Sequence, residues 1–203
     1  MEEGLILVMD LDGTLISEEI AERMYREAYM ETLKIMRERG IEIPAEFYSY
    51  NFKNSCELTR RFKLFEEIYK DVYPRVLEKY SDDIRKERKR ARVMYNYLIN
   101  QCKPKYVFIL TANPKGDAII EEVLPEIPRE RILIVKGVTY VEDKKIELKK
   151  LKNLGKVVYV ADKDEIDFVA AKEAGVDYIN VASLIEELRK KEKDLYELKA
   201  FSP

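Results

Sequence analysis

Three acidic or hydroxyl-bearing clusters in this chain each begin where an apolar run stops. Asp10-Leu11-Asp12-Gly13-Thr14 follows the run at residues 5–9. A carboxylate at such a point can attack phosphorus and divide one difficult displacement into two easier ones. A second carboxyl two residues on can protonate a leaving group and then take a proton from water. Gly13 lets the backbone turn tightly beside the first carboxylate. Thr111-Ala112-Asn113 closes the run at residues 106–110, and a hydroxyl with neighbouring backbone N–H groups can hold a phosphoryl oxygen. Asp162-Lys163-Asp164-Glu165-Ile166-Asp167 closes the run at residues 157–160. Its carboxylates can complete an oxygen shell around a magnesium ion. A lysine can offset the negative charge of a phosphoryl group in transfer.

What the chain lacks narrows the chemistry. It has no histidine, which removes Ser-His-Asp and Cys-His nucleophile systems and histidine-based zinc sites. Any general acid or base is then a carboxylate, lysine, tyrosine or cysteine, and any metal sits among oxygens, which favours magnesium. Cys56 and Cys102 lie far apart and read as isolated thiols in a reducing compartment. Lys plus Arg total 37 against 39 Asp plus Glu, so no positive excess points to nucleic acid. The basic stretch at residues 85–92 is interleaved with Glu87 and follows Asp82-Asp83, the pattern of a solvated helix face. The first apolar run is too short for an export or membrane segment, so the expectation is a cytoplasmic protein with no membrane partner.

These clusters need elements to bring them together. Residues 5–9 read as a strand buried on both faces. From Ser17 to Asn100 apolar residues recur at helical spacing, with breaks at Gly40 and Pro44 and near residues 48–55, and boundaries at Pro74 and Ser81-Asp82. After Pro104, strands at 106–110, 131–135, 157–160 and 177–181 alternate with helices near 117–124, 143–154 and 165–174, and Ser183 caps a last helix. Such alternation predicts an α/β fold, a Rossmann-like parallel sheet with helices on both faces. The core then comprises residues 1–16 and 104–203, and residues 17–103 form an inserted all-helical domain. In open α/β sheets ligands gather at the carboxyl ends of strands, where all three clusters fall.

The run from Asp10 to Thr14 after an apolar strand, with Thr111 and the Asp162/Asp167 pair following in that order, resembles the haloacid dehalogenase-like (HAD) hydrolase superfamily. The resemblance spans the predicted core, and the helical insertion fits the family's cap position. It implies Asp10 as nucleophile and metal ligand. Asp12 would be the general acid/base, with its backbone carbonyl on the metal, and Thr111 would bind a phosphoryl oxygen. Asp162 would ligate Mg2+, supported by Asp167, with Asp164 as its substitute. The family lysine would be Lys144 or Lys145, ahead of the fourth strand, with Lys144 favoured because Leu148 and Leu151 follow it at helical spacing, or Lys136 after the third. An aspartate at position 12 marks the phosphatase and phosphomutase branches. Two departures are Ala161 where the family has glycine, and the longer of two spacings between Asp162 and Asp167. The activity implied is hydrolysis of a small phosphorylated metabolite. A phosphomutase or a non-catalytic phosphate-binding protein is the alternative, as monomer or homodimer.

Each cluster also has a purely structural use. Asp10 and Asp12 could cap a turn, Thr111 could open one before Pro114, and the acidic run after residue 161 could cap a helix. Nine of the 14 tyrosines fall between Tyr25 and Tyr97, inside the insertion, where most should pack in the cap core or the cap–core interface and a few could line the substrate pocket. Arg23, Arg26, Asn51, Lys53 and Asn54 are the cap positions with side chains suited to substrate contact.

Overall fold

A computed structural model describes residues 4–135, 140–187 and 189–190. Lys136, one of the three lysines considered above, lies outside them. Five strands, β1 (Leu5–Met9), β2 (Tyr106–Thr111), β3 (Ile132–Ile134), β4 (Lys156–Ala161) and β5 (Asp177–Asn180), form one parallel sheet in the order β3-β2-β1-β4-β5. Leu7 and Met9 of β1 join Val107, Ile109, Val158 and Val160 on one face. Ile6 and Val8 join Leu110, Val157, Tyr159 and Ala161 on the other. Alternate residues therefore bury both faces, which is why the strands read as continuous apolar runs.

Helices α5 (Gly116–Val123) and residues 181–187 cover the first face through Ile119, Ile120, Val123, Val181 and Leu184. Helices α6 (Tyr140–Lys152) and α7 (Val169–Ala174) cover the second through Leu148, Leu151, Ala170 and Ala174. Between β1 and β2 stand α1 (Glu18–Glu38), α2 (Phe52–Arg61), α3 (Lys63–Lys79) and α4 (Ser81–Cys102). Their apolar stripes, including Met24, Tyr29, Phe65, Val72 and Leu98, merge with the first sheet face into one core. The α/β core with an inserted all-helical cap is thus as expected. Among the described residues, no helix is long and apolar enough to cross a membrane.

Several boundaries differ from the sequence reading. Pro74 does not end a helix but lies inside α3, because Val72, Tyr73 and Val76 continue the buried stripe across it. The interruption comes instead at Phe62, whose extended backbone (φ −127°, ψ 99°) separates α2 from α3. Ser183 is not a cap: the last helix begins at residue 181, and Asn180 Oδ1 accepts from the Ala182 N–H at 2.8 Å. Helix α6 begins at Tyr140, three residues early, and the turn after β4 is a π-helical segment, Asp164–Phe168, that leads into α7.

Two residues of α4 fix how the cap joins the sheet. Ser17 caps α1 without a side-chain bond of its own, and its N–H donates to Glu87 Oε2 at 2.7 Å. Arg90 donates to the Gly13 carbonyl at 3.4 Å. Of the other α4 arginines, Arg85 and Arg88 reach Glu122 and Arg92 reaches Glu126, both beyond β2.

Candidate active site

The carboxyl ends of β1, β2 and β4 converge on one buried cluster. The Asp10 N–H donates to the Val160 carbonyl at 2.9 Å, which continues the β1–β4 ladder and fixes the backbone under the Asp10 side chain. The chain then turns: the N–H groups of Thr14, Leu15 and Ile16 all point to the Leu11 carbonyl. Gly13 takes the left-handed conformation (φ +78°), and a Cβ there would overlap Asp162 Oδ2. Glycine is required twice over, by the backbone angle and by the approach of the β4 loop.

Asp10, Asp162 and Asp167 place carboxylate oxygens within 4.8 Å of one another. Lys144 lies against them, its Nζ 3.3 Å from Asp10 Oδ2 and 2.6 Å from Asp167 Oδ1. Asp167 also accepts from the Tyr159 hydroxyl at 2.8 Å and from the Lys163 N–H at 3.3 Å. It is nearly inaccessible, and these bonds lock it in place. Asp162 is less constrained. Its Oδ2 lies 3.4 Å from Lys163 Nζ, and its buried Oδ1 has no hydrogen-bond partner among the described residues.

Burial dominates the electrostatics. It pushes Asp10 well above the usual carboxylate range; the Lys144 ammonium opposes that shift, and the charges of Asp167, Asp12 and Asp162 add to it. Burial also raises Asp162. For Lys144, burial disfavours the charge, but the Asp10 and Asp167 carboxylates outweigh it and raise its pKa, so it stays an ammonium. Four buried or half-buried carboxylates, Asp12 included, thus face too little positive charge. Their hard oxygen donors, their spacing and the orphaned Asp162 Oδ1 fit a divalent cation of the magnesium type.

Asp12 stands beside this cluster with partners of its own. Tyr25, on α1, donates its hydroxyl to Asp12 Oδ2 at 2.7 Å. Asn113 Nδ2 lies 3.2 Å from Oδ1 and 3.3 Å from Oδ2. The Asn113 amide cannot flip without loss, because its Oδ1 accepts from the Lys115 N–H at 3.0 Å. Burial raises the Asp12 pKa, and the Tyr25 and Asn113 bonds pull it back. Thr111 Oγ1 accepts from the Asn113 N–H at 3.0 Å, which leaves its own proton to donate. Gly116 packs against the Thr111 methyl with no room for a side chain.

Of the residues singled out in the sequence, Asp10, Asp12, Thr111, Lys144 and Asp167 line one cavity of about 530 Å³, and Asp162 borders it through Gly13. Lys145 is not brought there; it pairs with Glu142 and Glu173 on the outer side of α6. Asp164 also stays out, accepting from Tyr178 and Asn180. Of the five cap positions, Asn51 lines the cavity. Arg23 turns to Asp83, Arg26 to Glu22, and Asn54 back onto its own loop. The cap wall includes Tyr25, Tyr50, Tyr69, Ser55 and Thr59, with Glu22, Glu66 and Lys70 among its charged members. Tyr159 was not legible as a site residue, and Tyr25 was legible only as one of the cap tyrosines that could line the pocket. Their one sequence signal was a hydroxyl-bearing ring in an otherwise apolar stripe or strand.

No family model matches the chain, and no curated protein matches it. Among solved structures it is similar to a hydrolase from Streptococcus pneumoniae TIGR4, with 16% identity over 93% of this chain and 100% of that one, at a TM-score of 0.39. So low a score adds nothing to what the sheet order and the acidic cluster show.

Proposed function

We propose that this chain, whose parallel sheet and inserted helical cap are the haloacid dehalogenase-like architecture, is a magnesium-dependent phosphomonoester hydrolase for a small phosphorylated metabolite. One observation carries the reading. The cluster at the strand ends divides into one carboxylate, Asp10, set against Lys144, Asp162 and Asp167, and a separate carboxyl, Asp12, held by other partners.

Asp10, Asp162, Asp167 and the Asp12 main-chain carbonyl would hold magnesium, which when bound offsets the charge of the phosphoryl oxygens. Lys144 adds a fixed positive charge beside the Asp10 carboxylate. The Thr111 hydroxyl and the N–H groups after it orient a phosphoryl oxygen. Asp10 attacks phosphorus in line; the bond from phosphorus to the ester oxygen breaks, and Asp12 gives that oxygen its proton. The alcohol leaves, and Asp10 carries the phosphoryl group. Asp12, now ionised, takes a proton from water as the water oxygen attacks phosphorus; the bond to Asp10 breaks, and phosphate departs. The cavity, roofed by the cap, has room for a small organic phosphate and shields the acyl phosphate from bulk water.

The test is phosphate release from a panel of aryl and alkyl phosphates, with and without magnesium. Wild type should turn over members of the panel only with the metal. Asp10→Asn should fall to background, and Asp12→Asn should lose about 10²–10⁴-fold on alkyl esters. A wild type inert across the panel, or an Asp10→Asn protein with full activity, would overturn the reading.

A further inference from the structure

The acid/base carboxyl of this site is held by two hands, one from each part of the molecule. Asn113, from the loop after β2, spans both oxygens of Asp12. Tyr25, from the first cap helix, donates to Oδ2 alone. A carboxylate offers about four acceptor positions, two on each oxygen. Tyr25 and Asn113 together fill those of Oδ2, while Oδ1 meets Asn113 only. The open position, and hence the proton to be given away, falls on Oδ1.

The Tyr25 ring is held firmly enough to make that choice. It stacks on Tyr73 of α3 at 5.5 Å between centroids and 16° between planes. Tyr73 stacks in turn on Tyr69 at 5.7 Å and 16°. The column fixes the ring plane, so the hydroxyl reaches Asp12 without a search over rotamers. Tyr25 also lines the cavity, but its hydroxyl is already engaged.

Building on the phosphatase reading, we propose that Tyr25 is a positioning residue through which the cap orients Asp12, so that Oδ1 carries the proton delivered to the departing alcohol. Tyr25 acts on the reaction through Asp12 and makes no bond to the phosphoryl group. The cap then contributes to the chemical step itself, in addition to forming the wall of the cavity.

The experiment compares Tyr25→Phe with wild type on p-nitrophenyl phosphate and on the alkyl ester of the panel that wild type turns over fastest. Nitrophenolate departs without a proton, whereas an alkoxide does not, and kcat/KM reports events up to that departure. Tyr25→Phe should lower kcat/KM for the alkyl ester by about tenfold or more and for the aryl ester by less than about threefold, with KM little changed. The ratio of the two values is independent of the folded fraction, so partial misfolding cannot imitate the effect. Tyr29→Phe is the control: it removes a hydroxyl from the same helix, one bonded to the Phe47 carbonyl at 2.6 Å, and should leave the ratio at the wild-type value. Binding of inorganic phosphate, followed by thermal shift, should be the same in Tyr25→Phe and wild type. Equal losses on both esters, a rise in KM as the main effect, weakened phosphate binding, or the same altered ratio in Tyr29→Phe would each overturn the proposal. If wild type is active and depends on Asp10 and Asp12 while Tyr25→Phe matches it, this inference alone fails. A wild type inert on every ester overturns the hydrolase reading and this inference with it.

Discussion

At the scale of single residues, the site stores electrostatic repulsion that a bound cation would relieve. Asp162 shows this most directly: burial raises its pKa, and one of its oxygens is orphaned. A carboxyl whose folded pKa is raised costs stability once pH passes its unfolded value, and the full cost is reached only above its folded value. Without metal, Asp162→Asn should therefore be more stable than wild type at neutral pH, by about 1 kcal/mol or about 2–4 °C in Tm. The difference should shrink as pH falls from the raised value toward the ordinary carboxylate range, and be gone below that range. Magnesium should reverse the order, because wild type gains a ligand that the variant binds poorly. Melting curves across pH, with and without magnesium, check both signs; a variant less stable than wild type in the absence of metal would contradict the account. The sequence made the acidic residues legible because each directly follows an apolar strand. It favoured Lys144 over Lys145, because adjacent helix positions point in different directions and Lys144 shares its face with Leu148 and Leu151, which pack α6 on the sheet. Tyr25 could not be told from the other cap tyrosines. It shares the stripe of Ala21, Ala28 and Thr32, and the turn that brings it back to Asp12 is a property of the folded chain.

At the scale of elements, the joint between β1 and α1 depends on a helix distant in sequence. Ser17 begins α1, yet its N–H is satisfied by Glu87 of α4. Glu87→Ala leaves that donor without its charged acceptor and should cost about 1–2 kcal/mol, read as a lower urea midpoint at unchanged slope. Glu87→Gln keeps an acceptor oxygen and should recover much of the loss; equal loss in both variants would show that packing, not the bond, holds the joint. The helices themselves illustrate where local signals rule and where they yield. Gly40, in the left-handed conformation, ends the first cap helix as its type requires. Pro74 signalled a boundary that tertiary burial overrode, while Phe62 gave no breaker signal although the chain extends there. The acidic run after β4 read as an ordinary helix start, but its first turn is π-helical. The wider turn lets Asp167 reach back to the Lys163 N–H while facing Lys144.

At the scale of the whole molecule, cap and sheet share one apolar core. It runs from Met9 and Val160 through Leu15 and Met24 to Phe65 and Val72. Two units with separate cores would melt separately, whereas a shared one couples them. The protein should therefore unfold in a single calorimetric transition whose measured and van't Hoff enthalpies agree, and magnesium should move that transition as a whole. Two resolved peaks would show that the cap is independent. This continuity was hidden in the sequence, which shows a change of texture at residues 17 and 104 but not which apolar stripes meet.

The contacts of α4 bear on how such a molecule could be recombined. Its arginines hold Glu122 and Glu126, Tyr97 reaches Glu187, and Glu87 and Arg90 grip the segment that follows Asp10. By partnership, this last helix of the insertion belongs to the scaffold that receives the cap. A graft that exchanged the whole insertion would remove the brace of the turn after β1 along with the roof, whereas one cut between Tyr80 and Ser81 would leave the brace behind. The exchangeable module is thus shorter than the inserted segment.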